Sequence, residues 1–279
     1  MYKVLKNKKI SPNSYLMEVK APLAIKKAIP GQFVIVMAKE DSERIPLTIY
    51  DYDLDKGVLS LIYQVIGAST EELSTIKDEI FAVVGPLGKP SEICANPDEF
   101  KGKRIVYVAG GVGIAPVYPQ LKYLTNKGFK IDVIYGSRSE DLLLIRDKVE
   151  ALANDVKYTT DDGSYGIKGF VTQVLEENIN KYDICVAIGP VIMMKNVCDL
   201  TKKYNMKTIV SMNPLMVDGS GMCGACRCEV EGKPKFACVD GPEFDGHQIN
   251  FDLALKRMNI YKEEEKVKWE EMKETLKNK

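Results

Sequence analysis

Apolar and polar positions change texture along the 279 residues of the chain. Up to about residue 97, short β-rich runs (Tyr15–Val19, Gln32–Ala38, Gly57–Tyr63, Ile80–Val84) alternate with turns bearing Pro and Gly, such as Pro30-Gly31 and Gly85-Pro86. Several short strands at this spacing predict a small antiparallel barrel. From about residue 101 to 212, apolar strands at Arg104–Ala109, Ile131–Tyr135 and Ile184–Ile188 alternate with helical periodicity at Val117–Thr125, Leu142–Asn154 and Met193–Tyr204. That order predicts a doubly wound parallel sheet, so the expected class is β-barrel plus α/β. Residues 213–250 are rich in turns. The tail, Phe251–Lys279, reads as a charged helix carrying Leu253, Leu255, Met258, Val267, Trp269, Met272 and Leu276.

The turn-rich stretch holds the most specific chemistry. It reads Asp218-Gly-Ser-Gly-Met-Cys223-Gly-Ala-Cys226-Arg-Cys228, and Cys238 follows, so four of the seven cysteines crowd into this segment. Thiolates gathered in this way suit a soft metal centre. Asp218 stands where the plant-type [2Fe–2S] spacing C-x₄-C-x₂-C…C would place its first cysteine. Asp218, Cys223, Cys226 and Cys238 are therefore the expected cluster ligands. Two other readings stay open for the C-x-x-C pair, a zinc knuckle and a redox dithiol. Cys228 heads the alternating run Arg-Cys-Glu-Val-Glu and is the substitute fourth ligand. Cys94, Cys185 and Cys198 sit in apolar surroundings that predict buried packing thiols.

Charge narrows the partners. Thirty-nine basic residues balance thirty-nine acidic ones, at a pI of about 6.6. Nucleic acid is not the expected partner. The first residues lack the apolar core of a signal peptide, and no run of apolar residues is long enough to span a bilayer. With cysteines suited to a reducing compartment, the expectation is a cytoplasmic protein without a membrane partner.

A second site is legible in the α/β part. Strand Arg104–Ala109 runs into Gly110-Gly111-Val112-Gly113-Ile114-Ala115-Pro116 and then a helix. Glycines at a strand-to-helix turn let backbone approach a pyrophosphate, whose charge the free N–H groups of the helix start stabilise. The next strand ends at Ser137-Arg138, where an adenosine ribose would be read. Arg138 has two open readings, acceptance of a 2′-phosphate or a solvated loop charge. Gly189-Pro190 ends a later strand and offers close approach to a nicotinamide. Asp162-Gly163 is either part of that mouth or an ordinary turn.

Pro30-Gly31-Gln32-Phe33, Gly85-Pro86-Leu87-Gly88, the Gly110–Pro116 turn and the cluster segment, taken in this order, resemble the ferredoxin-reductase superfamily. The aspartate in place of the first cluster cysteine narrows the match. So do Asn213-Pro214-Leu215-Met216-Val217-Asp218 and Cys238-Val239-Asp240-Gly241-Pro242-Glu243-Phe244-Asp245-Gly246. Over nearly its whole length the chain resembles the small (alpha) subunits of NADH-dependent reduced ferredoxin:NADP oxidoreductases. These are similar to sulfide dehydrogenase beta subunits and to dihydroorotate dehydrogenase electron-transfer subunits.

The resemblance implies an FAD-binding barrel at 1–97, an NAD(P)-binding Rossmann-like domain at 98–212, a [2Fe–2S] segment at 213–250 and a C-terminal charged helix at 251–279. FAD contacts fall on Arg44, Pro46, Leu47 and Thr48, then on Ile62, Tyr63, Gln64, Gly67, Ser69 and Thr70. Arg44 lies one residue early for the family pattern, and Ser69 replaces a glycine. The NAD contacts implied are Gly110, Gly111, Val112, Gly113, Pro116, Ser137, Arg138, Asp162, Gly163, Gly189 and Pro190, with NADP(H) still open. Ile188 stands where the family often has a cysteine, so no thiol acts there. The implied function is electron relay between NAD(H) and a larger flavin- and [4Fe–4S]-containing subunit, and through it ferredoxin. No side chain is expected to act as acid, base or nucleophile. The alternatives are the same module in a dihydroorotate or sulfide dehydrogenase, and a zinc-stapled nucleotide-binding module without redox activity.

Overall fold

A computed structural model describes residues 1–277; the last two residues of the expected tail helix lie outside it. The first sheet is built from β1 (Tyr2–Ser11), β2 (Ser14–Lys20), β3 (Phe33–Met37), β4 (Ile45–Asp53), β5 (Val58–Gln64), β6 (Glu79–Ile80) and β7 (Ala82–Leu87). They pair antiparallel in the order β6-β1-β2-β5-β4-β3-β7, a curled half-barrel left open between β6 and β7. Two short helices, α1 (Pro22–Ile25) and α2 (Ala68–Thr75), lie in its connections. The interior is filled by alternate residues such as Leu47, Ile49, Leu59, Leu61 and Tyr63. Strand period two turns the residues between them outwards.

A linker with α3 (Glu92–Ala95) leads to the second sheet. Its strands are β8 (Ile105–Gly110), β9 (Ile131–Ser137), β10 (Asp155–Thr160), β11 (Ile167–Lys168), β12 (Ile184–Ile188) and β13 (Lys207–Ser211), all parallel, in the order β11-β10-β9-β8-β12-β13. Helices α4 (Ile114–Asn126), α5 (Arg146–Glu150), α6 (Val171–Asn178) and α7 (Val191–Lys203) connect them. All six residues of β8 are buried, as expected for a central parallel strand covered on both faces.

The cysteine-bearing segment adds the antiparallel pair β14 (Arg227–Val230) and β15 (Lys233–Phe236). It then contributes β16 (Glu243–Asp245), which extends the parallel sheet antiparallel to β13. The chain ends in α8 (Phe251–Met258) and α9 (Lys262–Lys277).

Four local expectations are corrected. The helix expected over Leu142–Asn154 shrinks to α5, because Ile145 takes a left-handed conformation (φ 48°) that no continuous helix admits. The single tail helix breaks between Met258 and Lys262. Gly85-Pro86 is not a turn but lies inside β7, where the register against β3 slips; a proline lacking N–H is tolerated at such a bulge. The strand expected at Ile80–Val84 divides at Phe81, whose N–H turns to the carbonyls of Met37 and Ala38.

Candidate functional site

Three surfaces converge on the outer face of the half-barrel. On β3, Val34 and Val36 point into the barrel core, whereas Phe33 and Ile35 are covered by Met216, Cys226, Ala237 and Cys238 of the cysteine segment. Directly across on β4, Phe33 is paired with Thr48 and Ile35 with Pro46. Paired residues of neighbouring antiparallel strands share a face. Thr48 and Pro46 thus share the strand face whose Phe33 and Ile35 are covered by the cysteine segment. Further along, Tyr50 and Ile62 turn outwards into the core of the nucleotide-type domain, the Tyr50 ring tilted against Tyr118 of α4 with centroids 4.9 Å apart. Leu47 and Tyr63 face the barrel interior instead, where the Tyr63 hydroxyl donates to Asn7 (2.9 Å). Gln64 ends β5.

At the head of α2, the N–H groups of Ile66 and Gly67 donate to the Thr70 hydroxyl oxygen at 3.0 and 3.2 Å. Ser69 donates to Glu43, which in turn pairs with Lys268 of α9 at 2.7 Å. A Cβ built on Gly67 meets nothing within 4 Å, so this turn is open to a ligand. Arg44 goes elsewhere: its Nε donates to the Val217 carbonyl (2.7 Å) and its Nη2 to that of Asp218 (3.3 Å).

In the cysteine segment, the Cys226 and Cys238 sulfurs lie 3.1 Å apart, unbonded and buried. The Cys238 N–H points at Cys226 Sγ and the Ala225 N–H at Cys223 Sγ, each at 3.5 Å. Such N–H···S contacts stabilise thiolate ligands. Burial, then the adjoining Cys226 sulfur, push the Cys238 thiol above its ordinary range. Cys223 is exposed on the same loop. The Asp218 carboxylate accepts the N–H groups of Ser220 (2.6 Å) and Cys223 (2.8 Å), and these amides hold it below its ordinary range. Among the described residues no three His, Cys, Asp or Glu side chains are grouped to hold one metal ion. A binuclear cluster divides four protein ligands two and two, and the paired thiols fit one such half. Cys228 is buried on β14 with its sulfur turned towards the Lys235 carbonyl, 3.6 Å away. Cys94, Cys185 and Cys198 are buried packing thiols.

The nucleotide-type turn is shaped by its glycines. A Cβ on Gly113 would lie 2.2 Å from the Ile188 carbonyl oxygen, and one on Gly110 only 2.5 Å from Met193 Sδ. These contacts let the β8–α4 turn nest against the β12–α7 turn at Gly189 and Pro190. Gly111 has φ 55° and faces open space, which suits close approach of a phosphate. Val112 and Pro116 are partly exposed beside it. At the carboxyl ends of β9 and β10, a cavity of about 570 Å³ is lined by Ser139, Glu140, Asp141, Leu143, Arg146, Asp162 and Ser164. Ser137 closes its own turn on the Ser139 carbonyl (2.6 Å), while Arg138 is exposed. Asp162 accepts the N–H and hydroxyl of Ser164, and Gly163 sits at φ 79° in that turn. A second, lysine-rich cavity lies at the amino ends of the strands, opposite the ligand crevice of such sheets.

Sequence reasoning missed the contacts joining these parts. Gln120 of α4 accepts from the Ser91 and Tyr107 hydroxyls (2.9 and 2.8 Å) and donates to Glu243 (2.8 Å), which also takes the Glu92 N–H (3.0 Å). Burial raises the Glu243 carboxyl above its ordinary range, against the opposing pull of these donors. Linker, nucleotide-type domain and cysteine segment are thereby fastened together. One signal was present: β3 reads Phe-Val-Ile-Val-Met, apolar on both faces, which requires a cover on its outer side.

Comparison with known proteins fits this geometry. Residues 213–250 match the family model of the iron–sulfur cluster binding domain of dihydroorotate dehydrogenase B, and residues 107–199 the oxidoreductase NAD-binding domain. A Thermotoga maritima homolog of the electron transfer subunit of dihydroorotate dehydrogenase B (NAD(+)) is 44% identical over 98% of this chain and 95% of its own. The chain belongs to the dihydroorotate dehydrogenase B electron-transfer subunit family. The electron transfer subunit of Clostridium acetobutylicum is 34% identical over 88% of this chain and 95% of its own. The solved structure of an NADH-dependent reduced ferredoxin-NADP oxidoreductase contains a chain 40% identical, with a TM-score of 0.87 and 97% of both chains covered. The electron-transfer, iron–sulfur and NAD-binding character expected from the sequence agrees with this family, as does the ferredoxin-reductase fold. Among the described residues no helix is long and apolar enough to cross a membrane.

Proposed function

We propose that this electron-transfer subunit carries FAD on the outer face of the half-barrel and relays electrons between NAD(H) and a larger flavin- and [4Fe–4S]-containing partner through a [2Fe–2S] cluster. The observation that carries the reading is the register of β3 and β4, which sets Thr48 and Pro46 beside the strand residues covered by Cys226 and Cys238. When bound, the flavin accepts a hydride and releases its electrons singly, which matches a two-electron donor to a one-electron cluster. Thr48 offers a hydroxyl at the flavin edge, Pro46 supplies an apolar wall, and the α2 turn at Gly67, Ser69 and Thr70 receives the phosphates. Asp218, Cys223, Cys226 and Cys238 hold the cluster. The backbone donors on Asp218 keep it anionic, as a hard ligand for one iron requires.

For the nucleotide, the acidic lining of the ribose-end cavity favours NAD(H). Glu140, Asp141 and Asp162 face it, and the cation among its described lining residues, Arg146, is paired with Glu140 at 3.1 Å and lies 4.3 Å over the Tyr165 ring. Carboxylates accept the hydroxyls of a 2′,3′-diol and repel a 2′-phosphate. For the partner, Cys223 lies in a rim of exposed apolar side chains, Met222 (90% exposed), Val217, Val239 and Leu215, which suits a protein electron acceptor docked over the cluster. The likeness to the ferredoxin-NADP oxidoreductase chain favours that assembly. A dihydroorotate dehydrogenase assembly is the second reading, supported by the names of the relatives.

The test is anaerobic purification followed by single-turnover reduction with NADH and with NADPH. Flavin bands, broad iron–sulfur absorption and faster reduction by NADH are expected. A colourless, zinc-containing protein would overturn the redox reading, and preference for NADPH abolished by Arg138→Ala would overturn the choice of nucleotide.

A further inference from the structure

Arg44 ends the loop into β4, two and four residues before the outward-facing Pro46 and Thr48. Its guanidinium reaches across 173 residues of sequence to the cysteine loop, bonding the carbonyls of both Val217 and Asp218 and lying 3.8 Å from Met37 Sδ. From Asp218 the bonds continue through its carboxylate to the amides of Ser220 and Cys223. One unbroken series of contacts thus links the start of a barrel strand to the backbone of a cysteine. Neighbouring Glu43 is engaged with Lys268 and Ser69, which leaves the arginine's charge directed at neutral carbonyls. A guanidinium remains charged at every accessible pH and holds two acceptors in a fixed fork.

We infer that Arg44 is a positioning residue that locks the cysteine loop to the flavin-bearing strand and sets the reduction potential of the cluster from the barrel side. This rests on the cofactor reading above. Geometrically, the fork fixes the backbone of Val217 and Asp218, and with it the carboxylate that caps Cys223. Electrostatically, a fixed positive charge beside the loop favours the form of the cluster that carries one more electron.

The experiment compares wild type, Arg44→Gln and Arg44→Lys, purified anaerobically. Hydrogen exchange at the Ser220 and Cys223 amides is expected to quicken about tenfold in Arg44→Gln, equivalent to about 1.4 kcal/mol of local stability. Redox titration followed by electron paramagnetic resonance is expected to show a lower cluster midpoint in Arg44→Gln, with Arg44→Lys between it and wild type. Flavin content is expected to stay unchanged. Unaltered exchange and midpoint in Arg44→Gln overturn the inference, and loss of FAD alongside them makes Arg44 a phosphate ligand instead. If Arg44→Gln fails to fold, Arg44→Lys decides by the same two readouts. A wild type without any iron–sulfur signal overturns the cofactor reading, whereas the exchange comparison still decides the loop lock.

Discussion

At the scale of single residues, ligation and close packing make the sharpest demands. Replacing Cys226 or Cys238 by Ala removes one of two sulfurs that already meet at 3.1 Å. Replacing Cys223 removes the exposed thiol of the same loop. Each change is expected to abolish the cluster, because an iron short of a thiolate is under-coordinated. Cys228→Ala is expected to retain it, since that sulfur faces the Lys235 carbonyl on β14. Iron content and visible absorption check this, and iron lost with Cys228 but kept without Cys238 would reverse the assignment. Gly113→Ala tests the nucleotide turn. Its methyl would stand 2.2 Å from backbone rather than from a flexible side-chain tip, so the turn must move. Weaker NADH binding and a loss of about 1–3 kcal/mol, the usual cost of overpacking, are expected by titration and urea unfolding.

At the scale of elements, His247 gives a signed pH dependence. Its Nε2 lies 3.0 Å from the Thr201 hydroxyl of α7, and burial depresses its pKa below the ordinary 6.5, against Asp245, which pulls upwards. The unfolded chain therefore binds this proton more readily than the folded one. The stabilising contribution is complete above about pH 6.5 and declines as pH falls below it. Urea unfolding at several pH values should show that slope in wild type and a flatter one in His247→Gln; equal slopes would remove the argument. The same scale explains what was legible in the chain. Buried parallel strands such as β8 and the long helices α4 and α7 announce themselves by apolar runs and periodicity. Strand β1, reading Tyr-Lys-Val-Leu-Lys-Asn-Lys-Lys-Ile-Ser, does not, because only one of its residues is fully buried and its lysines mask the alternation. Helix α5 is cut short by a single left-handed residue that periodicity cannot reveal. The motif residues of the site were readable because glycines and cysteines carry local constraints. The partners of Arg44 and Glu243 were not, because they lie far away in sequence and only the fold brings them together.

At the scale of the molecule, the prediction concerns what one chain does alone. The half-barrel, the Gly110–Pro116 turn and the cysteine segment are fastened by contacts such as the buried tyrosine pair Tyr50–Tyr118 and the half-buried Gln120–Glu243 bond. Reduction of bound FAD by NADH is therefore expected in the isolated subunit, since donor site and flavin face share one packed interface. Turnover with ferredoxin and NADP is a different matter. It needs a further relay and a second nucleotide site. Four candidate ligands are committed to one cluster, and Cys94, Cys185 and Cys198 are buried apart, with burial raising Cys94 and Cys198 to about 12 and Cys185 well above its ordinary value. Among the described residues these three thiols lie in apolar cores and are not gathered into a second ligand set. On the proposed reading, the exposed apolar side chains near Cys223 are where a partner would take the electrons onward. Steady-state NADP reduction coupled to ferredoxin, assayed anaerobically with the purified single chain, is expected to be absent and to return with the partner subunit. Robust activity from the single chain would mean that it is a complete enzyme and that the rim around Cys223 serves some other purpose.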